Sequence, residues 1–408
     1  MRILILSQYF WPEEFRINDL ATSLVKKGHK VEVLTGKPNY PAGKIFPKYR
    51  AWGCEYETNL GVHINRIPIF ARGNRAWRLA LNYLLFVVSG LIFSPFIFRK
   101  KDFDVIYVYA PSPILQAIPA LFLGRLKKCP VILSVQDLWP DSLSATGYIK
   151  NKIVLNTIEK VVSFIYRHTD LLLIQSKAFE KPVRALAALS PIDYYPQSVD
   201  SSFACETPNE VQNIDGLGDG FSIMFAGNIG SAQAVEVIVQ AADILREYSD
   251  IHFVIFGDGS KREWMLREVE RLGLSNIYLP GRFPIEMMPG FMQRASALLV
   301  TLADQPIFAL TIPARVQAYL AAGRPIIACM NGEGGRIVAE AKAGFATPAE
   351  DSRALAKTIL RMYKKSVIEL DEMGKSGRLY YYENFEHEQL VEQLIKHFKF
   401  VCQVKEKK

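Results

Sequence analysis

The stretch FSIMFAGNIGSAQAVEVIVQAADIL, Phe221 to Leu245, decides the fold. An apolar run of strand length stops at Gly227-Asn228-Ile229-Gly230, and an apolar pattern of helical length follows. A strand that is apolar at every position is buried on both faces, which means a parallel sheet covered by helices. Glycines between such a strand and its helix let the backbone approach a phosphate at the helix N-terminus. Tight turns use the same residues, so the turn alone leaves both readings open.

The same unit recurs outward in both directions. IHFVIFGDG, NIYLPG, ALLVTL and PIIACM repeat it toward the C-terminus. RILILS, KVEVLTG, DVIYVYA, PVILSVQ and DLLLIQS repeat it toward the N-terminus, with helical patterns at 18–27, 113–125, 152–166 and 178–189. The alternation lapses between about residues 196 and 220, where Pro, Ser, Asn, Asp and Gly dominate, as in an interdomain linker. At 408 residues the chain exceeds one ordinary core. The expected fold is α/β, with doubly wound parallel-sheet domains at 1–198 and 217–384 and a last helix, 385–408, crossing back to the first. Ligands of such sheets bind beyond the carboxyl ends of the strands, so two facing sheets create a cleft.

Hydrophobic content of 50% and charged content of 22% describe a folded protein, and the net charge of +8 favours anionic partners. The 49 Lys and Arg form no long basic run, which does not favour nucleic acid. Cys54, Cys129, Cys205, Cys329 and Cys402 include no CxxC pair, and the six histidines form no HxH or HExxH spacing. A zinc ribbon or a disulfide framework is therefore not expected, and a reducing compartment is. The opening RILILSQYF, ending at Glu13 and Glu14, is too short for a signal peptide and reads as a first strand. LALNYLLFVVSGLIFSPFIF, residues 79–98, carries no charge and is bracketed by Arg72, Arg75, Arg78 and by Arg99, Lys100, Lys101. Its length permits a membrane span. Asn82, Ser89, Gly90, Ser94 and Pro95 favour a buried or interfacial helix instead, and the basic flanks favour a membrane surface.

TIPARVQAYLAAGRPIIA, Thr311 to Ala328, reads as a helix capped by Thr311, with Pro313 in its first turn and Gly323 and Pro325 ending it. Its free N–H groups can receive an anion, with Arg315 one turn in. FGDGSKREW is a second strand–turn–helix, carrying Gly257, Gly259, Ser260 and Lys261. It serves either as a phosphate-facing turn or as a cap with a solvated lysine. Arg282, in LPGRFP, follows a short strand at the sheet's mouth. SVQDLWPDSL places Gln136, Asp137, Trp139 and Asp141 at the carboxyl rim of the first sheet; Asp137 can orient a hydroxyl or accept a proton, or simply cap its loop. Asp102-Phe103-Asp104 is a nominal DxD, a metal-holding pattern elsewhere, but it precedes a strand and reads as a polar entry loop.

NIG…VEVIVQAA, HFVIFGDG, LGLSNIYLPGRFP and AYLAAGRPIIA together resemble the second domain of family 4 glycosyltransferases with the GT-B fold. SQYFWPEEFRINDLATSLVKKGHKVEVLTGKPNYPAGK, with VQDLWPDSL, resembles the O-antigen N-acetyl-L-fucosamine transferase subgroup (WbuB-like). The resemblance spans nearly the whole chain. It implies two Rossmann-like domains facing a cleft and a metal-independent, cofactor-free, retaining transfer from a nucleotide-diphosphate sugar held by the second domain. It places Gly227, Asn228 and Gly230 at the phosphate turn, with Gly257 and Lys261 beside it. Arg282 and Phe283 flank the base, and Leu310, Thr311, Ile312, Pro313 and Arg315 face the diphosphate and ribose. The family's Glu-x7-Glu frame falls on Leu310 and Ala318, which makes Arg315 the replacement cation. Phe15, Arg16 and Asn18 stand where the family has a double-glycine loop and would reach donor or acceptor across the cleft. Asp137 and Arg315 are the expected catalytic pair. The resemblance further implies a UDP-sugar donor, a polyprenyl-diphosphate-linked saccharide acceptor and peripheral attachment to the cytoplasmic face of a bacterial inner membrane. A nucleotide-sugar epimerase of the same fold and a non-catalytic, membrane-docked saccharide-binding subunit are the alternatives; product analysis without acceptor and UDP titration separate them.

Overall fold

The computed structural model describes residues 1–73, 75–145, 151–199, 201–204 and 211–406; Cys205 lies outside them. The chain forms two compact units, Met1–Pro196 with Glu388–Lys408, and Gln197–His387. In the first unit the order is β1 (Arg2–Leu6), α1 (Ile17–Lys26), β2 (Lys30–Thr35), β3 (Glu55–Asn59), β4 (Val62–Arg66), α2 (Ala76–Ile97), β5 (Val105–Ala110), α3 (Ala117–Leu126), β6 (Val131–Val135), α4 (Asp141–Ala145), α5 (Lys152–Arg167), β7 (Leu171–Ile174), α6 (Glu180–Leu186) and β8 (Ile192–Tyr194). Among the described residues the sheet runs β3-β4-β2-β1-β5-β6-β7-β8. Its central strands are parallel and buried along their length, as β5 is at every residue. Strand order reverses between β1 and β5, which opens a crevice at their carboxyl ends. The β3–β4 hairpin is antiparallel and turns at Leu60-Gly61, both with positive φ. Its edge strand β3 is mostly polar and partly exposed, and β4 alternates Val62 and Ile64 with polar residues, so no apolar run announces it.

In the second unit the order is β9 (Phe221–Ala226), α7 (Glu236–Ile244), β10 (Ile251–Phe256), α8 (Arg262–Leu272), β11 (Ile277–Gly281), α9 (Met288–Arg294), β12 (Ala297–Thr301), α10 (Pro306–Leu310), α11 (Ala314–Ala322), β13 (Ile326–Cys329), α12 (Glu333–Glu340), β14 (Gly344–Thr347), α13 (Ser352–Tyr363) and α14 (Val367–Asn384). The parallel sheet runs β11-β10-β9-β12-β13-β14, reversing between β9 and β12. The phosphate-type turn at Gly227 therefore ends the strand at the switch point. The segment read as a linker belongs to this unit instead: Val199, Phe203 and Leu217 are buried in its core, and Gln317 Nε2 donates to the Gln197 carbonyl at 2.9 Å. Residues 205–210 of that segment lie outside the described ones.

The last helix, α15 (His387–Glu406), packs on the first sheet beside α1. Leu390, Val391, Leu394, Ile395, Phe398 and Val401 are buried at helical spacing against Ile3, Ile5 and Tyr107. Each such side chain contributes about 1.5–3 kcal/mol of burial. The Lys27 pairs with Glu388 (3.0 Å) and Glu392 (2.7 Å) are solvent-facing and add little. Helix α2 is long and apolar enough to cross a membrane, yet its polar residues are turned inward: Asn82, Ser89 and Ser94 are buried beside Phe86, Val87 and Gly90.

Candidate functional site

In the second unit the backbone crowds at the ends of β9 and β10. Gly227 N–H donates to the Phe256 carbonyl at 3.0 Å, and Gly257 N–H donates to the Gly281 carbonyl at 2.8 Å. A Cβ on Gly257 would lie 1.8 Å from the Gly227 oxygen, and its φ of +131° is itself closed to other residues. A Cβ on Gly227 would lie 3.3 Å from Arg315 Cδ and 3.6 Å from its Nε. The strand-end turn and the arginine of α11 are thus in direct contact, with Gly227 and Asn228 both solvent-facing.

Arg315 is the unusual group. Its Cζ sits 4.8 Å over the Phe225 ring, and its Nη1 is buried with no hydrogen-bond partner among the described residues. Burial lowers its pKa from the ordinary value, with the Tyr319 phenol opposing. Tyr319, one turn further on, accepts the Ala226 N–H at 3.0 Å and so clamps α11 to the end of β9. Arg315 as a whole is half-buried, and a guanidinium with one buried, unspent donor is costly unless an anion completes it. Nothing in the residue pattern points to Tyr319, whose role needs the packed structure.

Several expectations are corrected here. Thr311 does not cap α11: it follows α10, and its hydroxyl donates to the Phe308 carbonyl at 2.9 Å. The N-cap position belongs to Pro313, with no side-chain cap, so the helix opens two residues later than its sequence suggests. Ile312 is buried, Leu310 half-buried, and the C-cap at Gly323 stands as read, with φ +67°. Lys261 is not a free phosphate ligand, because its ammonium pairs with Glu236 at 2.8 Å. Its backbone N–H donates to the Ile229 carbonyl at 2.9 Å, which ties the second turn to the first. The Asn228 amide donates to Gln233 Oε1 at 3.0 Å, beside Gly230 and still exposed. Arg282 is exposed directly after β11, whereas Phe283 packs edge-on against Phe256 and Phe291.

In the first unit Asp137 is half-buried past β6. Burial raises its pKa, opposed by hydrogen bonds from the Ser142 hydroxyl at 2.9 Å and the Leu138 N–H. Asn18 spends its amide inside its own loop, accepting from Trp11 N–H (2.9 Å) and donating to the Glu13 carbonyl (2.7 Å). Arg16 pairs with Asp19 at 3.9 Å, and Phe15 stacks on Tyr9 at 5.1 Å. Glu13, given no role by the sequence reading, is buried and accepts from the N–H groups of Asn39 (2.8 Å) and Tyr40 (2.7 Å). Asp102 and Asp104 both pair with Arg2, at the edge of the sheet opposite the carboxyl ends. Among the described residues no cluster of three or more His, Cys, Asp or Glu could hold a metal.

Residues 14–193 match the family described as glycosyl transferase 4-like domain, and residues 220–365 match glycosyl transferases group 1. The chain is 27% identical over 326 residues to "Probable glycosyltransferase WbjE" of Pseudomonas aeruginosa, covering 76% of this chain and 77% of that one. It is 22% identical over 324 residues to "Putative colanic acid biosynthesis glycosyl transferase WcaI" of Escherichia coli K12, covering 74% and 76%. A solved structure of Anabaena Alr3699/HepE in complex with UDP superposes with a TM-score of 0.70 at 12% identity, over 98% of this chain and 100% of that one.

Proposed function

We infer, from the premise that this chain is a glycosyltransferase of the GT-B fold with a 4-like first domain and a group 1 second domain, that it builds bacterial surface polysaccharide. The donor is a UDP-sugar, with N-acetyl-L-fucosamine or a related amino sugar as the group moved. The acceptor is a saccharide on a polyprenyl diphosphate, met at the cytoplasmic face of the inner membrane. The colanic acid assignment of WcaI and the UDP held by HepE support the pathway class and the nucleotide. The O-antigen or capsule setting, and the N-acetyl-L-fucosamine transferase subgroup, rest on the stretch 7–44 together with VQDLWPDSL.

The observation that carries this reading is Arg315, whose buried, unpartnered Nη1 lies against the exposed Gly227 turn. Cleavage of the sugar–phosphate bond leaves negative charge on the diphosphate and positive character on the sugar. The α11 N–H groups and the guanidinium are already oriented toward that charge before it develops, which favours the transition state over the ground state. No metal or cofactor is called for, since Arg315 supplies the positive charge. Retention by a front-face route lets the departing phosphate take the acceptor's proton, and Asp137 orients the acceptor hydroxyl.

A panel of UDP- and GDP-sugars, assayed with a polyprenyl-diphosphate saccharide, tests the proposal. UDP-sugars should raise Tm and release UDP only when acceptor is present. Protection by GDP-sugars alone, or an epimerised sugar without acceptor, contradicts it. Asp137 makes a second expectation. Its raised pKa puts the loss of the ionised form, and hence of rate, at a pH above the ordinary carboxylate range as the medium is acidified. Asp137→Asn should lower kcat about tenfold and abolish that acid limb while leaving UDP affinity intact. A variant that keeps the wild-type pH profile removes Asp137 from the chemistry.

A further inference from the structure

Helix α2 is apolar on the side it leaves outside. Its buried side is mixed, with Asn82, Ser89 and Ser94 beside Phe86, Val87 and Gly90, while Trp77, Leu81, Leu84, Val88, Ile92 and Phe96 are exposed at spacings of three and four, a single face. Trp77 is 54% and Phe96 76% exposed, and Phe122 and Leu126 of the neighbouring α3 extend the apolar surface. Water does not tolerate a contiguous patch of this kind without a partner. Cations mark both ends, with Arg75 and Arg78 at the N-terminus and Arg99, Lys100 and Lys101 beyond the C-terminus. The helix cannot leave the fold to span a bilayer cheaply. Gln8 Nε2 donates to the buried Asn82 Oδ1 at 2.5 Å, and Gln8 N–H donates to Gln116 Oε1 at 2.7 Å. Withdrawing α2 would orphan buried polar groups at the carboxyl end of β1.

At the N-terminal end of the stripe the chemistry changes in order. Arg78 folds back over Gly73, with Cζ 5.4 Å from the Trp77 ring and 6.0 Å from the Phe70 ring. Arg72 follows, its Cζ 5.2 Å above the Tyr40 ring and its backbone N–H bound to Asn39 Oδ1 at 3.1 Å. Tyr40 and Phe15 then meet at 5.3 Å, next to the ends of β1 and β2. Apolar stripe, two arginines and aromatic rings follow one another through these contacts. A lipid-linked saccharide has the same succession of hydrocarbon, diphosphate and sugar.

We propose that α2 lies flat on an anionic bilayer and that Arg72 and Arg78 receive the diphosphate of the lipid-linked acceptor, with its saccharide resting on Phe15 and Tyr40. The proposal rests on the acceptor class inferred above and adds its binding site. The stripe enters the headgroup–acyl boundary, where apolar side chains and flanking cations both find partners. The two guanidiniums provide paired, charge-assisted donors to phosphate oxygens.

Flotation of the full chain with vesicles tests this. Neutral phosphatidylcholine vesicles carry either a polyprenyl diphosphate or the corresponding polyprenol, and a third set carries phosphatidylglycerol. Wild type should bind the diphosphate vesicles about tenfold more tightly than the polyprenol ones, and Arg72→Ala with Arg78→Ala should erase that difference. Leu84→Glu with Ile92→Glu should abolish flotation with all three sets. UDP affinity, read in parallel, should be unchanged in both variants, which reports that they are folded. Equal binding of wild type to diphosphate and polyprenol vesicles, or an unaffected arginine variant, overturns the acceptor site. Failure to float on phosphatidylglycerol at low salt overturns the docking face. If wild type floats as described but binds no UDP-sugar, the donor reading fails and this surface stands.

Discussion

Arg315→Ala should lower kcat/KM for sugar transfer about ten- to a hundredfold, by removing a charge-assisted contact of about 1.5–3 kcal/mol to the leaving diphosphate. The same substitution should leave the Tm of the ligand-free protein unchanged or higher. A side chain that stabilised the fold would show the opposite. Arg315 has a buried Nη1 with no acceptor among the described residues, so the empty protein carries its desolvation cost without return. Arg315→Lys should recover part of the activity, since it keeps the charge but not the planar fork. Thermal melts with and without UDP, alongside initial rates, separate the two effects. Loss of apo stability in step with activity would make Arg315 a structural residue.

The second large effect is expected at Gly257. Gly257→Ala would place a methyl group 1.8 Å from the Gly227 carbonyl oxygen at a φ of +131°. The ends of β9 and β10 must then part, at a cost of order 2–3 kcal/mol. The turn proposed to face the diphosphate is displaced with them, so donor KM should rise as well as Tm fall. Gly273 provides the comparison. It ends α8 at φ +62° with nothing within 4 Å of an added Cβ. Gly273→Ala should cost only about 1 kcal/mol and leave KM alone. Equal behaviour of the two variants would show that the crowding at Gly257 has no part in donor binding.

The strands that build both sheets were legible because they are apolar at every position, as in VIYVYA and FSIMFA. The β3–β4 hairpin was not, since EYETN lies at a solvent-facing edge and VHINR, though buried, mixes polar with apolar residues and carries no run to see. Composition misread the stretch from about 196 to 220, because apolar side chains such as Val199, Phe203 and Leu217 pack into the core of the second unit. The position of Arg315 could be counted back from Gly323, but the start of its helix could not. Thr311 and Pro313 make a persuasive cap on paper, and the short α10 just before them claims Thr311 instead. Partnership is the property least visible in a sequence. Lys261 looks available until Glu236 is found beside it, and Arg315 looks like any helix arginine until its surroundings are found to lack an acceptor.

Calorimetric titration of UDP into wild type and Arg315→Ala tests the account most directly. Wild type should bind, and the variant should bind at least about tenfold more weakly while melting no lower without ligand. Equal UDP affinity in the two proteins would mean that this buried guanidinium does not hold the donor's phosphates, and the proposed donor site would be wrong.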